Sequence, residues 1–370
     1  MTSLGTMEKW TLRFAVVALL FLALSGFEGM LMRSQQYDID SLHGMEAFLN
    51  TLRPGEVEPT TAELYYAMLT AHPIVGIYGF VYMAVFGAFY FLVPYLINKP
   101  VKHPKLVVTN FWLQIIGVMI CWASGCFGLF NAMYTLYWPL PVTFDRVPVL
   151  GSIFFMLGAA AIMVNILLFS YNIFKTVLSK NGEGSYTLGQ FLRAAFGIPR
   201  LMKLFGKEDK TAVNLDYNGL PPFIVAVARG SIDTVINAIV LLTAGVLILV
   251  YGLFALFGNP LNPLAVDALI YKNIYWWGLD MVADGNALIY TAGVWYLLVP
   301  LLTGRKLFGA GVVKTVIMVD LLVSMGVWSH HLLGDTSQPM WMKILSGQFI
   351  TWGEYFTMGL TIFVSLMTIW

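Results

Sequence analysis

Long apolar runs separated by short polar turns are the dominant pattern along this chain. Eight of them, 22 to 30 residues each, cover 11–32, 68–97, 106–131, 147–175, 232–257, 274–301, 311–333 and 344–370. A helix needs about 20 mostly apolar residues to cross the hydrocarbon layer of a bilayer. None of the runs alternates with the period of two that a membrane β-strand requires. The pattern predicts an all-α fold, a polytopic membrane helical bundle with eight transmembrane helices. The first run is not a cleavable leader, because it is long for one and no small-residue cleavage site comes after Met32-Arg33.

Composition sharpens this. Of 370 residues, 58% are hydrophobic and 11% charged, against roughly 25% charged in soluble domains. The mean hydropathy is +0.75. With 21 basic and 20 acidic residues the net charge is +1, so nucleic acid is not a partner and the partner of the surface is the lipid bilayer. Cys121 and Cys126 share one apolar run and offer neither a disulfide framework nor zinc-ligand spacing.

Basic residues orient membrane chains by gathering on the cytoplasmic side. With a cytoplasmic N-terminus, 16 of the 21 lysines and arginines fall on that side, Arg229 and Lys314 among them. Arg33, Arg53, Arg146, Lys272 and Lys343 fall on the other. The expected location is the cytoplasmic (inner) membrane of a prokaryote. The longest polar stretch, 176–231, reads as a cytoplasmic connector near anionic headgroups, not as a separate domain. No repeat divides the chain, so residues 1–370 form a single transmembrane domain.

Ionisable side chains at membrane depth are expensive and point to function. His43 and His103 fall in loops. His72 lies early in the second run, where it is either a hydrogen-bonded core residue or a ligand. His330 and His331 are adjacent in Trp328-Ser329-His330-His331, and neighbours on a helix are about 100° apart. A metal near the helix can recruit both imidazoles.

In the sixth run, Asp280 and Asp284 are four residues apart, which stacks them on one face of an α-helix. Either a cation or a shared proton relieves their repulsion, or the pair meets water through a cavity. Two carboxylates with two imidazoles favour iron or manganese over copper. Gln348, Thr351, Glu354, Thr357, Thr361, Ser365 and Thr368 form a polar stripe on the last run. It suits a proton or water path, or helix–helix hydrogen bonding.

Together these residues resemble subunit I of the heme–copper oxidase superfamily, which includes oxygen reductases and nitric oxide reductases. The likeness is carried in order along the chain by Glu28-Gly29-Met30-Leu31-Met32-Arg33, Thr70-Ala71-His72, Tyr137–Pro141, the His330-His331 pair, and Thr357–Phe363, which is similar to a TGxKxF stretch. The resemblance implies two hemes, one low-spin and one high-spin, with His72 an axial ligand of the low-spin heme. It also implies a non-heme metal beside the high-spin heme, held by His330 and His331.

Two departures matter. Where oxygen reductases carry a histidine and a tyrosine in the sixth span, this chain has neither. The nitric oxide reductase pattern Trp-Trp-x-x-His-x-x-x-Glu-Gly fits better, with Trp276-Trp277 on the tryptophans, Asp280 on the histidine, Asp284 on the glutamate and Gly285 on the glycine. The lysine of the oxygen-reductase proton path falls on Thr361. These positions resemble a divergent nitric oxide reductase with Asp280 and Asp284 as further metal ligands or proton carriers, and iron more than copper as the metal. The second departure is length: the family has twelve or more spans, so a C-terminally truncated chain is expected.

The implied activity is reduction of nitric oxide to nitrous oxide, with a cytochrome c oxidase-like oxygen reductase as runner-up and a heme-free transporter or channel as a further alternative. The implied partners are a cytochrome c or quinol donor and a second membrane-anchored subunit.

Overall fold

A computed structural model of the chain describes residues 5–38, 40, 44, 60–128, 130–133, 136–142, 147–179, 187–198, 202, 205–207, 221–259, 261–326 and 332–370, without the side chain of 284. Every regular element among them is helical. Thr6–Tyr37 is α1. Thr61–Pro73 (α2) passes through a π-helical turn, Ile74–Val81, into Tyr82–Ile97 (α3). Pro104–Cys126 (α4), Val149–Leu178 (α5), the short Leu188–Ala195 (α6) and Pro222–Leu256 (α7) come next. Ala268–Asp280 (α8) passes through a second π turn, Met281–Gly285, into Asn286–Thr303 (α9). Then come Ala310–Ser324 (α10) and Met340–Ile369 (α11).

Counting α2–α3 and α8–α9 as continuous, seven described helices are long and apolar enough to cross a membrane. They match seven of the eight predicted runs. The other run, 311–333, is helical over the 15 residues of α10 and then enters 327–331, outside the described residues.

Local signals explain where helices begin. Thr60 caps α2: its hydroxyl accepts the Glu63 N–H at 3.3 Å, while the Glu63 carboxylate accepts the Thr60 N–H at 2.8 Å. Proline leads α4 and α7, where its missing N–H costs nothing. Pro222 starts α7 well before the apolar run, and this places Arg229 within a helix and not in the connector. Arg229 is 0% exposed within α7, and Lys314, 3% exposed, lies within α10. Both belong to the 16 charges expected on the cytoplasmic side, and both are packed inside the protein and not on its surface.

The contacts divide the chain into two compact units. The first holds residues 1–88, 107–166 and 239–275. Its α1 buries Phe14, Ala18, Phe21, Ser25, Glu28, Met32 and Gln35, in steps of four and three that keep one stripe facing inward. Association between helices in lipid depends on close backbone approach. Gly79 provides it for α1, because a Cβ there would stand 2.8 Å from the Phe21 ring. The second unit holds 89–106, 167–238 and 276–370. Phe89 packs edge-on against Phe223 and Tyr290 at 5.1 Å between ring centres, in the same unit as a buried polar network around Arg229.

Candidate functional site

His72 sits one residue before Pro73, at the end of α2. Its Nδ1 lies 3.0 Å from the Ser25 carbonyl oxygen and 3.2 Å from the Ser25 hydroxyl. A carbonyl can only accept, so Nδ1 carries the proton and donates. Nε2 is left with its lone pair. Hydrogen bonds of this kind fix the tautomer and ring plane of metal-ligating histidines. Gly29 flanks the ring, with space for a Cβ at 3.5 Å from Cε1. The donor set therefore fits axial ligation of a heme iron through His72 Nε2.

One turn beyond Ser25 on α1, Glu28 is 3% exposed. Its Oε1 accepts from Trp122 Nε1 at 2.6 Å and from the Cys126 thiol at 3.6 Å. Both cysteines are free thiols, and Cys121 donates to the Phe155 carbonyl at 3.3 Å.

In the second unit, Asp280 ends α8 and is 5% exposed. It lines a cavity of about 20 Å³ whose other polar walls are Asp320, Ser324 and Glu354. A single water needs about 10–15 Å³ and two to four polar partners, so the cavity suits one water. Asp284 belongs by its backbone to the π turn Met281–Gly285. The α-helical spacing that was expected to stack it on Asp280 is thus replaced by a wider turn. Its side chain, and all of His330 and His331, lie outside the described residues. Among the described residues no three His, Cys, Asp or Glu side chains are placed to hold a metal ion. The fit to a non-heme metal among the described side chains thus stands on Asp280 alone.

Behind Asp320 stands a network that no sequence motif announces. Arg229 donates to Asp233 Oδ2 and to Asp320 Oδ2, each at 3.1 Å, and to the Ser324 hydroxyl. Thr357 donates to Asp320 Oδ1 at 2.8 Å, and Asn237 donates to Asp233 Oδ1 at 2.9 Å. With its amide turned to satisfy both ends, Asn286 donates to Asp233 Oδ2 at 3.0 Å and accepts from Thr234 at 2.8 Å. The available signal was the Arg229/Asp233 pair, opposite charges four apart beside an apolar run. The polar stripe of α11 divides by role. Glu354 faces the cavity, while Thr361 meets the Tyr296 hydroxyl at 2.7 Å and Thr368 accepts the Phe308 N–H at 3.0 Å.

The family model described as cytochrome c and quinol oxidase polypeptide I matches residues 9–370. The chain belongs to this family. It is 23% identical to the probable cytochrome c oxidase subunit 1-beta of Nocardia farcinica over 76% of this chain and 42% of that protein. It is 24% identical to cytochrome c oxidase polypeptide 1 of Halobacterium salinarum, over 75% of this chain and 41% of that protein. It is also similar to the heme-copper oxidase subunit I+III of Aeropyrum pernix, at 23% identity over 74% of this chain and 30% of that protein. The chain thus spans about two-fifths of the length of the first two relatives. Family membership and the seven long apolar helices agree on a polytopic helical membrane protein.

Proposed function

We propose that this polypeptide is the core of a respiratory terminal reductase in a prokaryotic cytoplasmic membrane, and that its gas substrate is nitric oxide, reduced to nitrous oxide and water. The choice of gas rests on Asp280, a buried carboxylate that the resemblance to nitric oxide reductases sets in the place of a histidine. A carboxylate suits a hard metal such as iron better than copper. The second reading, an oxygen reductase with an atypical site, is favoured by the names of the curated relatives. Electrons would come from a cytochrome c or a quinol, through a partner subunit. The N-terminus is cytoplasmic in this reading, and residues 1–370 act as one transmembrane domain, with 176–231 as connector up to the start of α7 at Pro222.

The hemes and the non-heme metal, when bound, supply electron transfer and the place where the gas is reduced. The chain's own residues do the rest. His72 offers Nε2 to the low-spin heme, and Ser25 fixes the ring plane by taking the Nδ1 proton in a hydrogen bond. Asp280 is assigned to the non-heme metal with His330 and His331, and Asp284 to the metal or to proton delivery. Val323 and Ile350 supply apolar walls to the cavity of about 20 Å³ beside Asp280.

The test is metal analysis of the intact protein purified from membranes, combined with gas consumption. Iron in excess of heme with nitric oxide turnover is expected. One copper per protein with rapid oxygen consumption and no nitric oxide turnover would overturn the choice of gas.

A further inference from the structure

Pro73 lacks the N–H that would bond back to the carbonyl four residues earlier, and the chain beyond it does not resume as an α-helix. Ile74–Val81 forms a π turn, a rare geometry that needs outside support and recurs at functional sites. Two helices supply the support. On the α1 side, Ser25 and Phe21 close over Gly76 and Gly79, each too near for a Cβ at 2.9 and 2.8 Å. On the α4 side, Gln114 Nε2 donates to the Tyr78 carbonyl, in the middle of the turn, at 2.7 Å.

Gln114 is itself held. It is fully buried, and its Oε1 accepts from Asn165 of α5 at 2.8 Å. Asn165 is in turn tied to Asn110 of α4: Asn110 Nδ2 donates to Asn165 Oδ1 at 2.6 Å, and Asn165 Nδ2 donates to the Asn110 carbonyl at 2.9 Å. Burying a side-chain amide is unfavourable unless its bonds are made, so an apolar seam would serve plain helix packing at lower cost. Beyond their own set, the three amides deliver a bond to the Tyr78 carbonyl.

We infer that Gln114 is a positioning residue for His72, holding the π turn so that Nε2 keeps its direction. This rests on the reading of His72 as an axial heme ligand. Relaxing a π turn to α shifts the helix by one residue, which rotates its two flanking segments by about 100° relative to each other. His72 lies on the N-terminal side of the turn and α3 on the C-terminal side. Losing the Gln114 bond would therefore release the ring from its alignment on Ser25, with the heme's surroundings changed and its ligand retained.

Three variants of the intact, heme-loaded protein test this. Gln114→Met keeps the volume and removes the donor. Asn165→Ala removes two donated bonds from the same network and leaves the Tyr78 carbonyl's partner in place. His72→Ala tests the underlying reading. The expected result is a shifted low-spin heme absorption band and midpoint potential in Gln114→Met, with the heme still bound. Asn165→Ala, which leaves the Gln114–Tyr78 bond itself in place, should show a lower melting temperature and a smaller shift of band and potential than Gln114→Met. If His72→Ala retains the low-spin heme signal, the ligand reading fails. If His72→Ala loses that signal while Gln114→Met leaves band and potential unmoved, or moves them no more than Asn165→Ala does, the positioning role is overturned.

Discussion

Arg229 and Asp320, 91 residues apart in sequence, are joined at 3.1 Å by a hydrogen-bonded ion pair. The same guanidinium meets Asp233 at 3.1 Å. Removing one partner of a buried ion pair strands the other charge, at about 3–5 kcal/mol. Arg229→Met is expected to lower stability in detergent by that order, read as a drop in melting temperature. Asp320→Asn, which keeps an acceptor for Thr357, should lose less. Equal stability of Arg229→Met and the parent would show that the network contributes nothing.

Asp280→Ala should deplete the non-heme metal while sparing the low-spin heme spectrum, because the low-spin heme is assigned to His72 and not to Asp280. Metal per heme, measured on the purified intact protein, checks this. An unchanged ratio would count against Asp280 as a ligand.

Glu28 separates shape from hydrogen bonding. Glu28→Gln retains an oxygen for Trp122 Nε1 and should be nearly neutral. Glu28→Leu leaves that N–H buried without an acceptor, which costs roughly 1–3 kcal/mol. Thermal unfolding of the pair should separate them in that order, and a Leu variant as stable as the Gln variant would refute the account.

The α4–α5 crossing depends on Gly158, where a Cβ would stand 2.7 Å from Cys121 Sγ and 2.8 Å from its backbone nitrogen. Backbone cannot step aside as a flexible side chain can. Gly158→Val is expected to destabilise by at least the roughly 1–3 kcal/mol typical of overpacking. Gly245→Ala, with nothing within 4 Å of the added carbon, is the control and should retain the parent's melting temperature.

The bundle was legible in the sequence because apolar run length is a one-dimensional quantity. Seven runs became long helices without needing any knowledge of neighbours. His72 was legible as a candidate because a lone histidine in an apolar run is conspicuous. Its partner was not, since Ser25 acts through a backbone carbonyl that every residue possesses. Arg229 was misplaced for a different reason. Its position just before the apolar run of 232–257 made it look like connector charge, and only Pro222 marks the true start of α7. Asp320 stood as a carboxylate within the apolar run 311–333, but its partner, a guanidinium far away in the chain, left no mark near it. The two π turns escaped a reading that assumes 3.6 residues per turn throughout.

The spacing of Arg229 and Asp233 bears on how the chain enters the membrane at all. Translation delivers α7 long before α10, so Arg229 must be inserted while Asp320 does not yet exist. A lone arginine adds up to about 2.5–3.5 kcal/mol to insertion, the full amount applying at a helix centre, and Arg229 lies in the N-terminal part of α7. Asp233, four residues on in the same helix, travels with it and offsets that charge from the start. Helix α7 carries its own counter-ion across, and α10 arrives later to a partner already neutralised.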